Sequence, residues 1–285
     1  MILEVILDAA IDTAKMIPFL FVAYLLIEYV ERRHSKSIEK ALAGGGKYGF
    51  IPGAALGLLP QCGFSAMAAS LYSSRAITLG TLLAVFLSTS DEAIPIMLST
   101  PHMAGKLAIL LTAKLIVALI AGFCVDFVFK RTIPASVRGG YTGSVTEVDC
   151  HEHVESDSIL LSSIKHTLSI TAFVLLFNLA LGFLAAIVGE AAIGKFISGW
   201  GFLQPVIAGL LGLVPNCAAS VLLTQLYASG ALSFGGVLAG LCTGAGVGLA
   251  VLLRANKSAK QNIFIIGILY VIGVSAGLVA QIFLP

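Results

Sequence analysis

The chain has 285 residues, of which 58% are hydrophobic and only 11% charged. A soluble domain carries about 25% charged residues, so a water-soluble core is excluded and a lipid-facing surface is implied. The net charge of +2 offers no electrostatic handle for nucleic acid, and five scattered cysteines, odd in number, do not make a disulfide framework.

In chain order, the N-terminus carries Glu4, Asp8 and Asp12 with no early positive charge, which is not the pattern of a cleavable signal peptide. Apolar stretches follow at 11–30, 48–71, 77–98 and 104–129. They recur at 168–188, 202–227, 232–253 and 263–284. Each approaches or exceeds the roughly 20 residues that a spanning helix needs. Between the two sets lies a polar segment with the run from Glu147 through Cys150, His151, Glu152 and His153 to Asp157. Its composition is that of a flexible connector. The chain therefore divides into a first transmembrane repeat (1–131), a connector (132–165) and a second transmembrane repeat (166–285).

The two sets match without gaps at a constant offset of 155 residues. Gly57-Leu58-Leu59-Pro60-Gln61-Cys62 falls on Gly212-Leu213-Val214-Pro215-Asn216-Cys217. Ser65 falls on Ser220, Tyr72 on Tyr227, Ser74 on Ser229 and Gly80 on Gly235. Chance can share an apolar pattern, but not proline, cysteine, serine and tyrosine in one register. The chain reads as an internal duplication, a common feature of secondary transporters.

Pro60 and Pro215 each sit in the middle of a long apolar stretch. Proline removes an amide donor and clashes with the preceding turn. Each is a kink in one span, giving parallel repeats, or a tip between two arms, giving five elements per half and inverted repeats. In the five-element arrangement one face collects 13 of the 17 Lys and Arg, and Lys15, Lys106 and Lys195 fall on the other. The four-element arrangement splits them more evenly, so the positive-inside rule favours inversion. The expected fold is all-α and polytopic: two inverted repeats of about five helical elements, with broken helices or hairpins meeting near the midplane. Arms of about 12 residues span only roughly 18 Å, too short to cross. This arrangement puts both termini outside an inner, cytoplasmic membrane and the connector in the cytoplasm.

The tips are the first candidate site. Unpaired amides begin the second arm near Gln61 and Cys62, and unpaired carbonyls end the first arm. A helix start attracts anions and a helix end attracts cations. Cys62 and Cys217 would then oppose one another beside the Gln61 and Asn216 amides, with Ser65 and Ser220 one turn on. Two thiols of thiolate character suit a soft metal or a thiophilic metalloid. The blander account is that cysteine is a small apolar residue permitting close packing at a kink.

Asp91 and Glu92 are adjacent carboxylates inside an apolar stretch, and repeat two places Gly244-Ala245-Gly246-Val247-Gly248 at the positions of Thr89 to Ala93. Such acids are costly and usually functional, here as cation ligands or proton carriers, unless they lie in headgroup water. Lys114, in mid-stretch, either pairs with these acids or snorkels to the interface. Asn178 is a ligand or a helix–helix hydrogen bond, Thr224 and Gln225 could line a pathway, and Glu28 and Asp126 read as solvated span ends. Cys150, His151 and His153, with His166, offer metal ligands on a flexible loop, or are incidental histidines in an acidic one.

The duplicated Pro-Gln-Cys and Pro-Asn-Cys tips, the segment Ser88-Thr89-Ser90-Asp91-Glu92 and the acidic, histidine-bearing connector resemble the ten-transmembrane heavy-metal exporter family. Its members are described as arsenic efflux proteins or manganese transporters, and the resemblance covers essentially the whole chain. It implies export of a metal or metalloid as cargo, with no resident cofactor. Cys62 and Cys217 favour arsenite or a soft metal; Asp91, Glu92, Gln61 and Asn216 favour a hard cation such as manganese. No Gly-x-x-x-x-Gly-Lys-Ser loop is present, so a proton or the membrane potential is the expected driving force. The lipid bilayer is the expected partner, and a homo-oligomer is compatible with the reading. An oxyanion or sulfur-compound permease is the alternative, and a membrane-embedded thiol enzyme a more distant one.

Overall fold

The computed structural model of the protein describes residues 48–60, 62–90, 93–100, 102–129, 201–215, 217–256 and 258–283, with isolated positions between 17 and 25, 133 and 137, and 164 and 179. Every regular element among them is helical. The first half gives α1 (Phe50–Gly57), α2 (Cys62–Ser73), α3 (Leu79–Ser88), α4 (Ala93–Ser99) and α5 (Ala104–Phe123), which continues as a π-helical turn, Cys124–Val128. The second gives α6 (Gln204–Gly212), α7 (Cys217–Ala228), α8 (Phe234–Thr243), α9 (Val247–Ala255) and α10 (Ala259–Phe283).

The duplication holds to the level of backbone detail. Cys62–Ser73 maps onto Cys217–Ala228, and Leu79–Ser88 onto Phe234–Thr243, at the same 155-residue offset. Helices α3 and α8 start alike because each has a hydroxyl at its N-cap: Thr78 accepts from the Thr81 N–H and Ser233 from the Gly236 N–H. The turns before them match too, with Arg75 at φ 64° and Gly230 at φ 76°. A left-handed conformation is costly for a side chain, so Arg75 is held where its counterpart is the glycine that the turn prefers.

Four apolar runs among the described residues are long enough to cross a bilayer: Leu79–Ser99, Ala104–Val128, Phe234–Ala255 and Ala259–Phe283. Their burial sorts them. All ten residues of α3 and residues 235–243 of α8 are buried, so these two form the centre. Helices α5 and α10 lie outside them and turn Ile109, Ile116, Ile120, Val271, Val279 and Ile282 outward. A helix that is apolar on its outer face suits lipid rather than water. The chain is an all-α multi-pass membrane protein.

Packing within the halves is parallel in its pairings. Helix α1 lies on α3 and α5, and α6 lies on α8 and α10. Lipid gives no hydrophobic drive between helices, so close backbone approach through small residues does that work. A Cβ on Gly57 would stand 2.0 Å from Ser88 Oγ and 2.5 Å from the Val85 carbonyl oxygen. One on Gly212 would stand 2.1 Å from the Gly240 carbonyl oxygen and 2.3 Å from Thr243 Oγ1. Only glycine permits either contact.

Two expectations are corrected. The stretch 77–98 is not one continuous helix: α3 ends at Ser88 and α4 begins at Ala93. Asp126 is not simply solvated. It is half-buried, and it accepts from Thr78 Oγ1 at 2.6 Å and from the Gly80 N–H at 3.0 Å, so it closes the N-terminal end of α3. The stretches 11–30 and 168–188, with Glu28 and Asn178, and the connector with Cys150, His151, His153 and His166 lie outside the described residues, apart from single positions.

Candidate functional site

The proline tips are helix breaks. Helix α1 ends at Gly57 and α6 at Gly212; the Leu59 N–H then bonds the Leu56 carbonyl and the Val214 N–H the Leu211 carbonyl, each at 3.1 Å. These tightened turns use i→i−3 bonds where the proline denies the next helical one. Beyond them α2 and α7 start at Cys62 and Cys217. Both cysteines therefore occupy a helix start, as the sequence predicted. Gln61 and Asn216, and the side chains of Cys62 and Cys217, lie outside the described residues.

A second pair of breaks interrupts the central spans. Between α3 and α4, Ser88, Thr89 and Ser90 are buried and their hydroxyls turn back on the chain. Ser88 donates to the Ala84 carbonyl at 2.8 Å, Thr89 to that of Val85 at 2.7 Å, and Ser90 to that of Ser88 at 3.2 Å. The Val85 carbonyl also accepts the Thr89 N–H at 3.0 Å, so the Thr89 hydroxyl shares an acceptor already in use; the back-bonding gives the buried hydroxyls partners at membrane depth. Between α8 and α9, Thr243 donates to the Gly209 carbonyl at 2.7 Å, and Gly246 adopts φ 53°, ψ −134°, a conformation essentially reserved for glycine. Asp91 and Glu92 stand in sequence between α3 and α4 and lie outside the described residues.

The four breaks adjoin one another. Gly57, at the end of α1, touches Ser88; Gly212, at the end of α6, touches Thr243. Each second arm then crosses to the other repeat: α2 packs on α9 and α7 on α4. At the first crossing, a Cβ on Gly248 would meet Ser65 atoms at 2.7 and 2.8 Å, so Ser65 lies directly against the start of α9. Ser65 and Ser220 are both buried, and the Ser220 carbonyl accepts from Thr224 Oγ1 at 2.7 Å. Thr224 is thus sealed into its own helix, while Gln225 is half-buried.

Among the described residues, a buried cation sits at this junction. Lys114 of α5 is fully buried, with 0% of its surface exposed. It does not snorkel. Its ammonium donates to the Thr89 carbonyl at the end of α3 and, at 2.7 Å, to the Leu241 carbonyl in the last turn of α8. Carbonyls of a last turn have no intrahelical partner and carry the negative end of the helix dipole, so an ammonium there is favourably placed. Sequence reasoning left Lys114 undecided and missed the second breaks. The signals present were the cluster Ser88-Thr89-Ser90 and, at the 155-residue offset, Thr243-Gly244-Ala245 followed by Gly246. Among the described residues, no three His, Cys, Asp or Glu side chains gather as a metal cluster.

The model of the family described as "Putative, 10TM heavy-metal exporter" matches the chain over residues 1–181 and again over 155–284. No curated protein and no solved structure matches it significantly. With essentially every residue covered, and with long apolar helices broken at paired positions, the chain belongs to this ten-transmembrane heavy-metal exporter family.

Proposed function

We propose that the protein is a secondary active transporter that exports a heavy-metal cation or a metalloid, of the manganese or arsenite class, across the cytoplasmic membrane. The observation that carries this reading is the adjoining of four helix breaks through reciprocal crossing, α2 onto α9 and α7 onto α4. Discontinuous helices at a repeat interface are how transporters present backbone dipoles to an ion. Reciprocal crossing is also what a two-fold relation between the halves would produce, in keeping with inverted repeats.

Substrate binds between the tips, contacted by Gln61, Cys62 and Ser65 from one repeat and Asn216, Cys217 and Ser220 from the other. Asp91 or Glu92 carries the compensating charge, since a cation buried without a partner costs several kcal/mol. A proton or the membrane potential drives export. The connector 132–165 faces the cytoplasm, and Cys150, His151 and His153 serve there as a metal antenna. Replacing Cys62 and Cys217 together with serine tests the ligand set. Loss of arsenite efflux with manganese efflux retained assigns sulfur ligation; full activity toward every metal and metalloid tried removes the cysteines from the site.

A further inference from the structure

The Lys114 ammonium occupies a place built for a cation. It binds two carbonyls freed by helix ends, one from each repeat, and no solvent reaches it. Packing does not call for the charge. At the matching position of repeat two stands Leu269, also fully buried, so the same register in the same fold is filled by an apolar side chain. A charge inside the membrane is expensive and is normally kept for function. A lysine is a compact point charge on a flexible four-carbon stem, able to leave one set of acceptors for another. Carbonyl oxygens are hard ligands that suit a divalent cation as well as an ammonium.

Resting on the reading above that a metal ion is carried, we propose that Lys114 is a tethered cation that holds the junction of α3 and α8 when substrate is absent, and that a transported divalent cation takes the Thr89 and Leu241 carbonyls by displacing it. The two cations exclude one another by repulsion and by competition for the same oxygens. Lys114 is thereby a specificity-determining residue. It sets the affinity that a divalent ion must exceed, and it presents no such electrostatic barrier to a neutral metalloid.

The test uses the full-length protein in lipid nanodiscs, with Mn²⁺ as the probe. Lys114→Met removes the charge and keeps the stem. It should bind Mn²⁺ at least about tenfold more tightly than the wild type, because a like charge a few ångströms away is gone. Lys114→Arg, which keeps the charge, should bind no more tightly than the wild type. Unchanged or weaker binding by a monodisperse Lys114→Met protein overturns the proposal, since a merely structural lysine would give that result. Should Lys114→Met not fold, the wild type decides. Reductive methylation read by mass spectrometry should modify Lys114 several-fold faster at saturating Mn²⁺ than without it, and an unchanged rate overturns the proposal. Arsenite export with no effect of Mn²⁺ on Lys114 would refute displacement while leaving the exporter. Tighter binding by Lys114→Met in a protein that exports no metal would support the tethered cation and sink the exporter.

Discussion

Gly248→Ala should weaken the protein at the crossing of α2 and α9. The added Cβ would lie 2.7 Å from the carbonyl carbon and the Cβ of Ser65, and 2.8 Å from its carbonyl oxygen. Two of those atoms are backbone, so no rotamer change relieves the contact. Carbon atoms settle at about 3.5–4.0 Å, so α9 must withdraw from α2 by about 1 Å. Overpacking of this kind costs about 1–3 kcal/mol, which lowers the melting temperature of a chain this size by about 2–12 °C. The assay is thermal unfolding in detergent, followed by the loss of the monodisperse peak. Gly267→Ala is the control: it lies exposed within α10 with nothing within 4 Å of its added methyl, and alanine should gain about 1 kcal/mol of helix propensity there. If Gly248→Ala melts no lower than the wild type while Gly267→Ala behaves as expected, the two repeats do not meet through Ser65 and Gly248.

Three further measurements test the stability of α3, the role of the connector and the topology. Asp126→Ala removes the acceptor of Thr78 Oγ1 and of the Gly80 N–H and should cost about 1–3 kcal/mol of stability in the same melt. Replacing Cys150, His151 and His153 with serine should weaken metal binding by the connector yet leave export intact at saturating substrate; complete loss of export at normal expression would place the connector in the pathway. In a background lacking the native cysteines, cysteines at 35 and 255 should be shielded from an impermeant external thiol reagent and one at 194 labelled, and labelling at 255 without labelling at 194 would rule out inversion.

The duplication was legible because identity at proline, cysteine and glycine survives where helical geometry depends on it. Pro60 and Pro215 announced the tips, since proline breaks a helix through its own covalent structure. The second breaks were harder to read. Ser88-Thr89-Ser90 and Gly244-Ala245-Gly246 contain no proline, and serine and threonine sit in a membrane helix as readily as they leave one. Their breaking depends on tertiary partners, such as Gly57 against Ser88 and Thr243 against the Gly209 carbonyl. Asp126 was misread for the same reason, because its partners Thr78 and Gly80 stand more than forty residues earlier in the chain. Lys114 shows the limit most clearly. Its acceptors belong to two other helices, one of them 127 residues away, and no local pattern encodes them.

The central claim is export of metal through a junction whose charge is supplied by Asp91 or Glu92. The most direct test is the metal and arsenic content of cells, measured by mass spectrometry for the wild type, for the paired substitution Asp91→Asn and Glu92→Gln, and for cells without the protein. The substitutions keep shape and remove charge. The wild type should lower the content of at least one metal or metalloid, and the paired variant, expressed to the same level, should match cells without the protein. Equal content in all three for every element measured, or a variant that exports as well as the wild type, would contradict the account.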